Sequence, residues 1–188
     1  MSWPVDTVPA VLVFAYGNPS RGDDALGPAL IDRLERQLTP GMRAAAGGIE
    51  CLTDFQLQIE HALDLVGRRL ILFVDAHLDC PPPWQLSPLE PEADASYSTH
   101  AISPAAVLHV FMELHGRMPP PSFILGIRGE RFALGDPLSN AAISHLDAAL
   151  ALVLALCRHP DESAWMTHCQ SVRGGTGDSP GITRAACR

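Results

Sequence analysis

Two acidic side chains of this sequence stand where an α/β protein does its chemistry. Asp24 follows the turn Gly17-Asn18-Pro19-Ser20-Arg21-Gly22-Asp23, which comes directly after an apolar run. Asp75 closes a second apolar run, Leu70–Val74 (LILFV). In open α/β sheets ligands collect beyond the carboxyl ends of the strands, and both carboxylates fall there. One such Asp by itself is ordinarily a helix cap. Paired at one rim, two carboxylates suit a cation, and an imidazole would complete a ligand set for a borderline divalent ion. His100, in Ser-Thr-His-Ala-Ile-Ser, stands just before an expected helix, and His77 follows Asp75 by two positions. His109 and His115 fall on the expected helix itself. Composition does not choose among these histidines.

Other chemistries are argued against by what the sequence lacks. The segment GNPSRGDD has neither the GxGxxG spacing nor the lysine of a phosphate loop, and its two carboxylates repel a phosphate. No GxSxG elbow is present, and Ser20 and Ser98 have no His–Asp grouping at a family spacing. HExxH is absent, which excludes a zincin by motif. The five cysteines form no CxxC pair and are odd in number, against a disulfide framework or a structural zinc site.

The elements that must position these carboxylates are legible from periodicity. Val11–Tyr16 (VLVFAY) is apolar on both faces, as a buried parallel strand is. Leu26, Ala29, Leu30 and Leu34 recur at helical spacing from Ala25 to Leu38, with Asp23 and Asp24 placed to cap that helix. Strands are expected at Arg43–Cys51, Leu70–Val74, Trp84–Leu89 and Ser122–Ile127. Further helices are expected at Phe55–Val66, Ser103–Gly116 and Ser139–Arg158. The third of these carries Ile143, Leu146, Leu150, Val153 and Leu154 inward, and the second carries Val107, Val110, Phe111 and Leu114. Strand alternating with helix predicts one α/β domain: three layers, α/β/α, around a mainly parallel sheet of about five strands.

The domain is expected over residues 1–159, with a flexible tail over 160–188, because GGTGDSPG (174–181) has no apolar content with which to order itself. At 188 residues the chain is long enough for one core without staples. Thirteen basic against 21 acidic side chains give a net charge of −8, which argues against nucleic acid and anionic membrane surfaces as partners. The longest unbroken apolar run, Ala148–Cys157, is ten residues, against roughly 20 for a bilayer span. The opening MSWPVDTVPA has no basic n-region. These features predict a reduced, cytoplasmic protein without a membrane partner.

Four segments, in order, resemble the hydrogenase maturation endopeptidases, which trim the C-terminus of the nickel–iron hydrogenase large subunit. AYGNPSRGDDALGPAL resembles the family's opening GxGNxxxxDDGxG motif. DFQLQIEHALDL resembles a QLxxE segment of the branch serving bidirectional or cofactor-reducing hydrogenases. LILFVDA resembles the strand that ends in Asp, and STHAISPAAVLHVFMELHG resembles the histidine segment. The four quoted segments lie between Ala15 and Gly116. The chain departs from the pattern at Ala15 and Ala25, where glycines are usual, and keeps Gly27. Some branches place the histidine where this chain has Ala105, which leaves His100 as the matching position.

The resemblance implies an aspartyl-type endopeptidase that removes the C-terminal extension of a nickel-loaded large-subunit precursor. It implies Asp24 and Asp75 as catalytic residues and Asp24, Asp75 and His100 as metal ligands, with Asp23 an orienting or capping neighbour. The nickel belongs to the precursor, and the expected assembly state is the monomer. Two other functions use the same residues: a non-catalytic nickel-binding maturation chaperone, and another metal-dependent amide hydrolase.

Overall fold

The computed structural model describes residues 8–44, 47–93 and 102–169. Its centre is a five-stranded sheet in the order β2-β1-β3-β5-β4, with β1 at Val11–Tyr16, β2 at Ile49–Asp54, β3 at Leu70–His77, β4 at Trp84–Leu89 and β5 at Ser122–Arg128. Strands β2, β1, β3 and β5 are parallel, and β4 joins the β5 edge antiparallel. β1 and β3 read as continuous apolar runs because helices cover both of their faces.

Alternation along the strands sorts the core into two layers. Val11, Val13 and Ala15 of β1, with Leu70, Leu72 and Val74 of β3, face α1 (Leu26–Gln37) and α4 (Asn140–Arg158). Leu12, Phe14, Ile71 and Phe73 face a 3₁₀ segment, Ile59–Leu65, and α3 (Pro104–His115). The crossover after β1 therefore runs on one face and the crossover after β2 on the other. Between β1 and β3 the chain switches sides, which leaves a crevice at their carboxyl ends.

Several boundaries differ from the sequence reading, each for a physical reason. The second strand begins at Ile49, not Arg43: Pro40–Ala44 forms a short helix, α2, and Gly47 and Gly48 take positive φ before the strand starts. The helix expected over 55–66 is the shorter 3₁₀ segment, which buries Ala62 and Leu65 and leaves Ile59 and Leu63 exposed; before it, Leu57 is buried and Phe55 exposed. On α3 the buried face is Ala106, Val107, Leu108 and Phe111, with Leu114 exposed. On α4 Ile143 is partly exposed, while Leu146, Leu150, Val153 and Leu154 are buried as expected.

α4 is long and apolar enough to cross a membrane by length and composition. Here it is a core helix, lining the sheet along most of its length and tied to α1 by Arg33–Asp147. The core also continues past residue 159. α5 (Glu162–Met166), capped by Asp161, buries Trp165 edge-on against Phe123 at 5.3 Å between ring centroids. The Trp165 indole N–H donates to Leu156 O at 3.0 Å. Residues 161–169 thus pack with the domain rather than with an appended tail, and residues 170–188 lie outside the described residues.

Candidate functional site

The crevice is shaped by a turn that the backbone can make only with glycine. Gly17 leaves β1 with φ +142°, and a Cβ there would lie 2.1 Å from the carbonyl oxygen of Asp24. Gly17 N–H donates to Asp54 O, which ties the turn to the end of β2. Gly27 lets α1 start against β1, since a Cβ there would meet Tyr16 O at 2.6 Å. The helix is therefore set down close behind the strand, and the residues between them are held at the rim.

Within this turn the two adjacent aspartates have different tasks. Neither caps α1, which starts from Ala25 without a side-chain cap; Gly22–Ala25 is a 3₁₀ turn leading into it. Asp23 is fully buried and accepts four hydrogen bonds: from the N–H groups of Glu130 (2.8 Å), Arg131 (3.0 Å) and Ser139 (2.7 Å), and from the Ser139 hydroxyl (2.9 Å). Although burial works against the charge, these donors hold its pKa below the ordinary value. Asp23 thereby fastens the 129–139 loop to the turn. Asp24 points the other way, and its Oδ2 accepts from Asn18 N–H at 3.1 Å.

Asp75 lies across the crevice, on the α3 face of β3. Burial is the main cause that pushes its pKa up to about 7, and the nearby charge of Asp24 adds to the rise. Hydrogen bonds from the Tyr16 hydroxyl and the Ala76 N–H oppose it. The electrostatic coupling of Asp24 and Asp75 brings together two of the residues singled out in the sequence. Tyr16, on the neighbouring strand, is one that sequence reading missed. Its phenol is pushed well above the ordinary range by burial and then by the charge of Asp75. No motif singles it out, because a strand-end Tyr reads simply as β-propensity.

The histidines sort as follows. His100 lies outside the described residues. The next described residue, Ile102, donates to Leu57 O at 3.4 Å, so the chain enters α3 beside the carboxyl end of β2. His77 is exposed beyond Asp75, with its Nδ1 accepting from Asp79 N–H at 3.1 Å. His109 faces Glu113 on α3 at 4.0 Å, and His115 packs on Phe111. His61 accepts from Gln58 N–H at Nδ1 and meets Asp54 Oδ2 with Nε2 at 3.3 Å, which occupies both nitrogens. Among the described residues no three His, Cys, Asp or Glu side chains group closely enough to hold a metal ion. Neither His77 nor His109 therefore completes a trio with Asp24 and Asp75. The pair offers hard oxygen donors and, in Asp75, a carboxyl whose pKa burial raises to about 7.

No family model matches the sequence, and no curated protein matches it. Solved structures do match. A [NiFe] hydrogenase maturation protease HycI from Thermococcus kodakarensis KOD1 is 18% identical, with a TM-score of 0.59 over 82% of this chain and 95% of that one. The hydrogenase maturating endopeptidase HybD from E. coli is 23% identical, with a TM-score of 0.61 over 80% and 93%. A hydrogenase 2 maturation peptidase from Thaumarchaeota archaeon SCGC_AB-539-E09 is 24% identical, with a TM-score of 0.54 over 77% and 96%. At these identities what is shared is the fold: a single α/β domain around a five-stranded, mostly parallel sheet.

Proposed function

We propose that this protein is an endopeptidase that removes the C-terminal extension of a nickel-loaded [NiFe]-hydrogenase large-subunit precursor. The observation that carries the reading is the convergence of Asp24 and Asp75 at the β1–β3 crevice, on a fold shared with maturation proteases. In this reading Asp24, Asp75 and His100 meet the precursor's nickel, which is part of the substrate. Two carboxylates and an imidazole are a sensible donor set for such an ion. Amide hydrolysis needs a group that takes a proton from water and returns one to the leaving amine. In this reading a carboxyl of the pair takes that role, which makes the reaction aspartyl-type.

The partner branch is read from Asp54–Leu65, whose Gln-Leu-Gln-Ile-Glu resembles the proteases of bidirectional or cofactor-reducing hydrogenases. We place the enzyme in the cytoplasm as a monomer. Incubation with the nickel-loaded precursor, followed by intact-mass spectrometry, tests the function. The expected result is loss of the C-terminal extension with wild-type protein and none with Asp75→Asn. Binding without a change in mass would instead identify a nickel-binding chaperone. Turnover of a simple amide without the precursor would identify a different hydrolase.

A further inference from the structure

The turn after β1 carries a hydrogen-bonded path that ends on the Asp24 carboxylate. Asn18 Oδ1 accepts from Ser20 N–H at 2.9 Å, the closure that Asn and Asp side chains make with the backbone two residues on. Asn18 O accepts from Arg21 N–H at 3.0 Å, so residues 18–21 form a four-residue turn with Pro19 in its second place. Proline brings a fixed φ and no N–H, which leaves this turn little freedom. Asp24 N–H then donates to Arg21 O at 3.2 Å and folds the chain back over its start. The carboxylate of Asp24 thereby lies on the Gly17–Asn18 peptide. Its Oδ2 accepts from Asn18 N–H at 3.1 Å, and its Oδ1 is 3.4 Å from the place a Cβ on Gly17 would take. Gly17 is itself pinned through its N–H to Asp54 O at 3.1 Å. One donor on Oδ2 sets how the carboxylate is turned and leaves its other lone pairs for a substrate group. Partners that orient a ligating carboxylate matter nearly as much as the ligand itself. We propose that Asn18 is a positioning residue for the reaction: its side chain closes the turn that aims the Asn18 N–H at Asp24 and so sets the carboxylate at the crevice. The inference rests on the peptidase reading above and extends it by one residue.

Asn18→Ala removes the side-chain acceptor and leaves the backbone N–H in place, whereas Asn18→Asp keeps an acceptor at the same position. Two measurements decide the matter. The first is amide hydrogen exchange at residue 18, expressed as protection over the unfolded chain so that the change of side chain is corrected for. Asp24→Ala shows how much of that protection the carboxylate supplies, about fivefold for one ordinary hydrogen bond. Asn18→Ala is expected to lose most of the same share, and Asn18→Asp to keep it. Protection unchanged in Asp24→Ala or in Asn18→Ala overturns the proposal, as does an equal loss in Asn18→Ala and Asn18→Asp. The second measurement is steady-state cleavage of the nickel-loaded precursor. Loss of an orienting partner costs roughly 10–100-fold in activity, and Asn18→Ala is expected at the lower end, in kcat, with KM within about twofold of wild type. Asn18→Asp is expected to restore most of the kcat. An unchanged kcat in Asn18→Ala, a change confined to KM, or no rescue by Asn18→Asp overturns the positioning role. If the wild-type protein leaves the precursor intact, the peptidase reading fails. The exchange comparison then decides alone whether the Asn18 side chain holds Asp24 in place.

Discussion

Replacing Asp75 by Asn should make the protein more stable at neutral pH while abolishing cleavage. Asparagine has nearly the same shape and still accepts hydrogen bonds through its carbonyl oxygen, so Tyr16 and Ala76 keep an acceptor. What disappears is a carboxylate that burial holds at a pKa of about 7 instead of the ordinary 3.8. The direction of the pH effect follows from linkage. Between these two values the unfolded chain has released the proton and the folded chain still holds it, so folding stability falls as pH rises. Below the lower value the charge costs nothing, and above pH 7 the full cost is present. At 1.36 kcal/mol for each tenfold change in proton affinity the ceiling is about 4 kcal/mol. Between pH 5 and pH 8 the gap between Asp75→Asn and wild type should widen by roughly 2–3 kcal/mol, or roughly 5–10 °C in Tm for a chain of this size. Urea unfolding of both proteins at the two pH values measures this, since contributions from groups not coupled to Asp75 cancel in the comparison. A gap equal at pH 5 and pH 8 refutes the argument that the Asp75 carboxylate is desolvated in the folded state.

Three further outcomes follow from the packing. Trp165→Ala should lose about 3–5 kcal/mol in urea unfolding, as should a chain ended after residue 159. Asp23→Ala strands three backbone N–H groups and the Ser139 hydroxyl and should cost about 3 kcal/mol or more at pH 7. Because the Asp23 pKa is lowered on folding, its stabilisation is present above the ordinary 3.8 and lost as pH falls through the folded value; chemical unfolding of both proteins in acid should show the gap closing. Gly17→Ala forces a Cβ onto Asp24 O at positive φ, so precursor cleavage should fall sharply and the urea midpoint should drop by the equivalent of at least about 1–3 kcal/mol.

Periodicity alone was enough to read the α/β architecture, because a buried parallel strand and an amphipathic helix leave signals within a few residues of chain. Val11–Tyr16 and Trp84–Leu89 coincide with observed strands, and Leu26, Leu30 and Leu34 line the buried side of α1. Asp24 and Asp75 were legible as a pair because each follows a recognisable strand. The sequence likewise showed that a basic nucleic-acid footprint and the serine-protease and zincin motifs are missing.

Tertiary structure decided the rest, for reasons that no local window contains. Asp23 and Asp24 are chemically identical neighbours, yet one is buried under a loop more than a hundred residues away and the other faces the crevice. Tyr16 comes beside Asp75 only because β1 and β3 are adjacent in a sheet whose order differs from chain order. Trp165 follows a composition break that reads as the end of the domain, but its indole fits against Phe123 on the central sheet. The raised pKa of Asp75 comes from burial and from a charge fifty-one positions away in sequence. Burial, strand adjacency and the field of distant charges are properties of the assembled core; the chain order encodes them only through the fold.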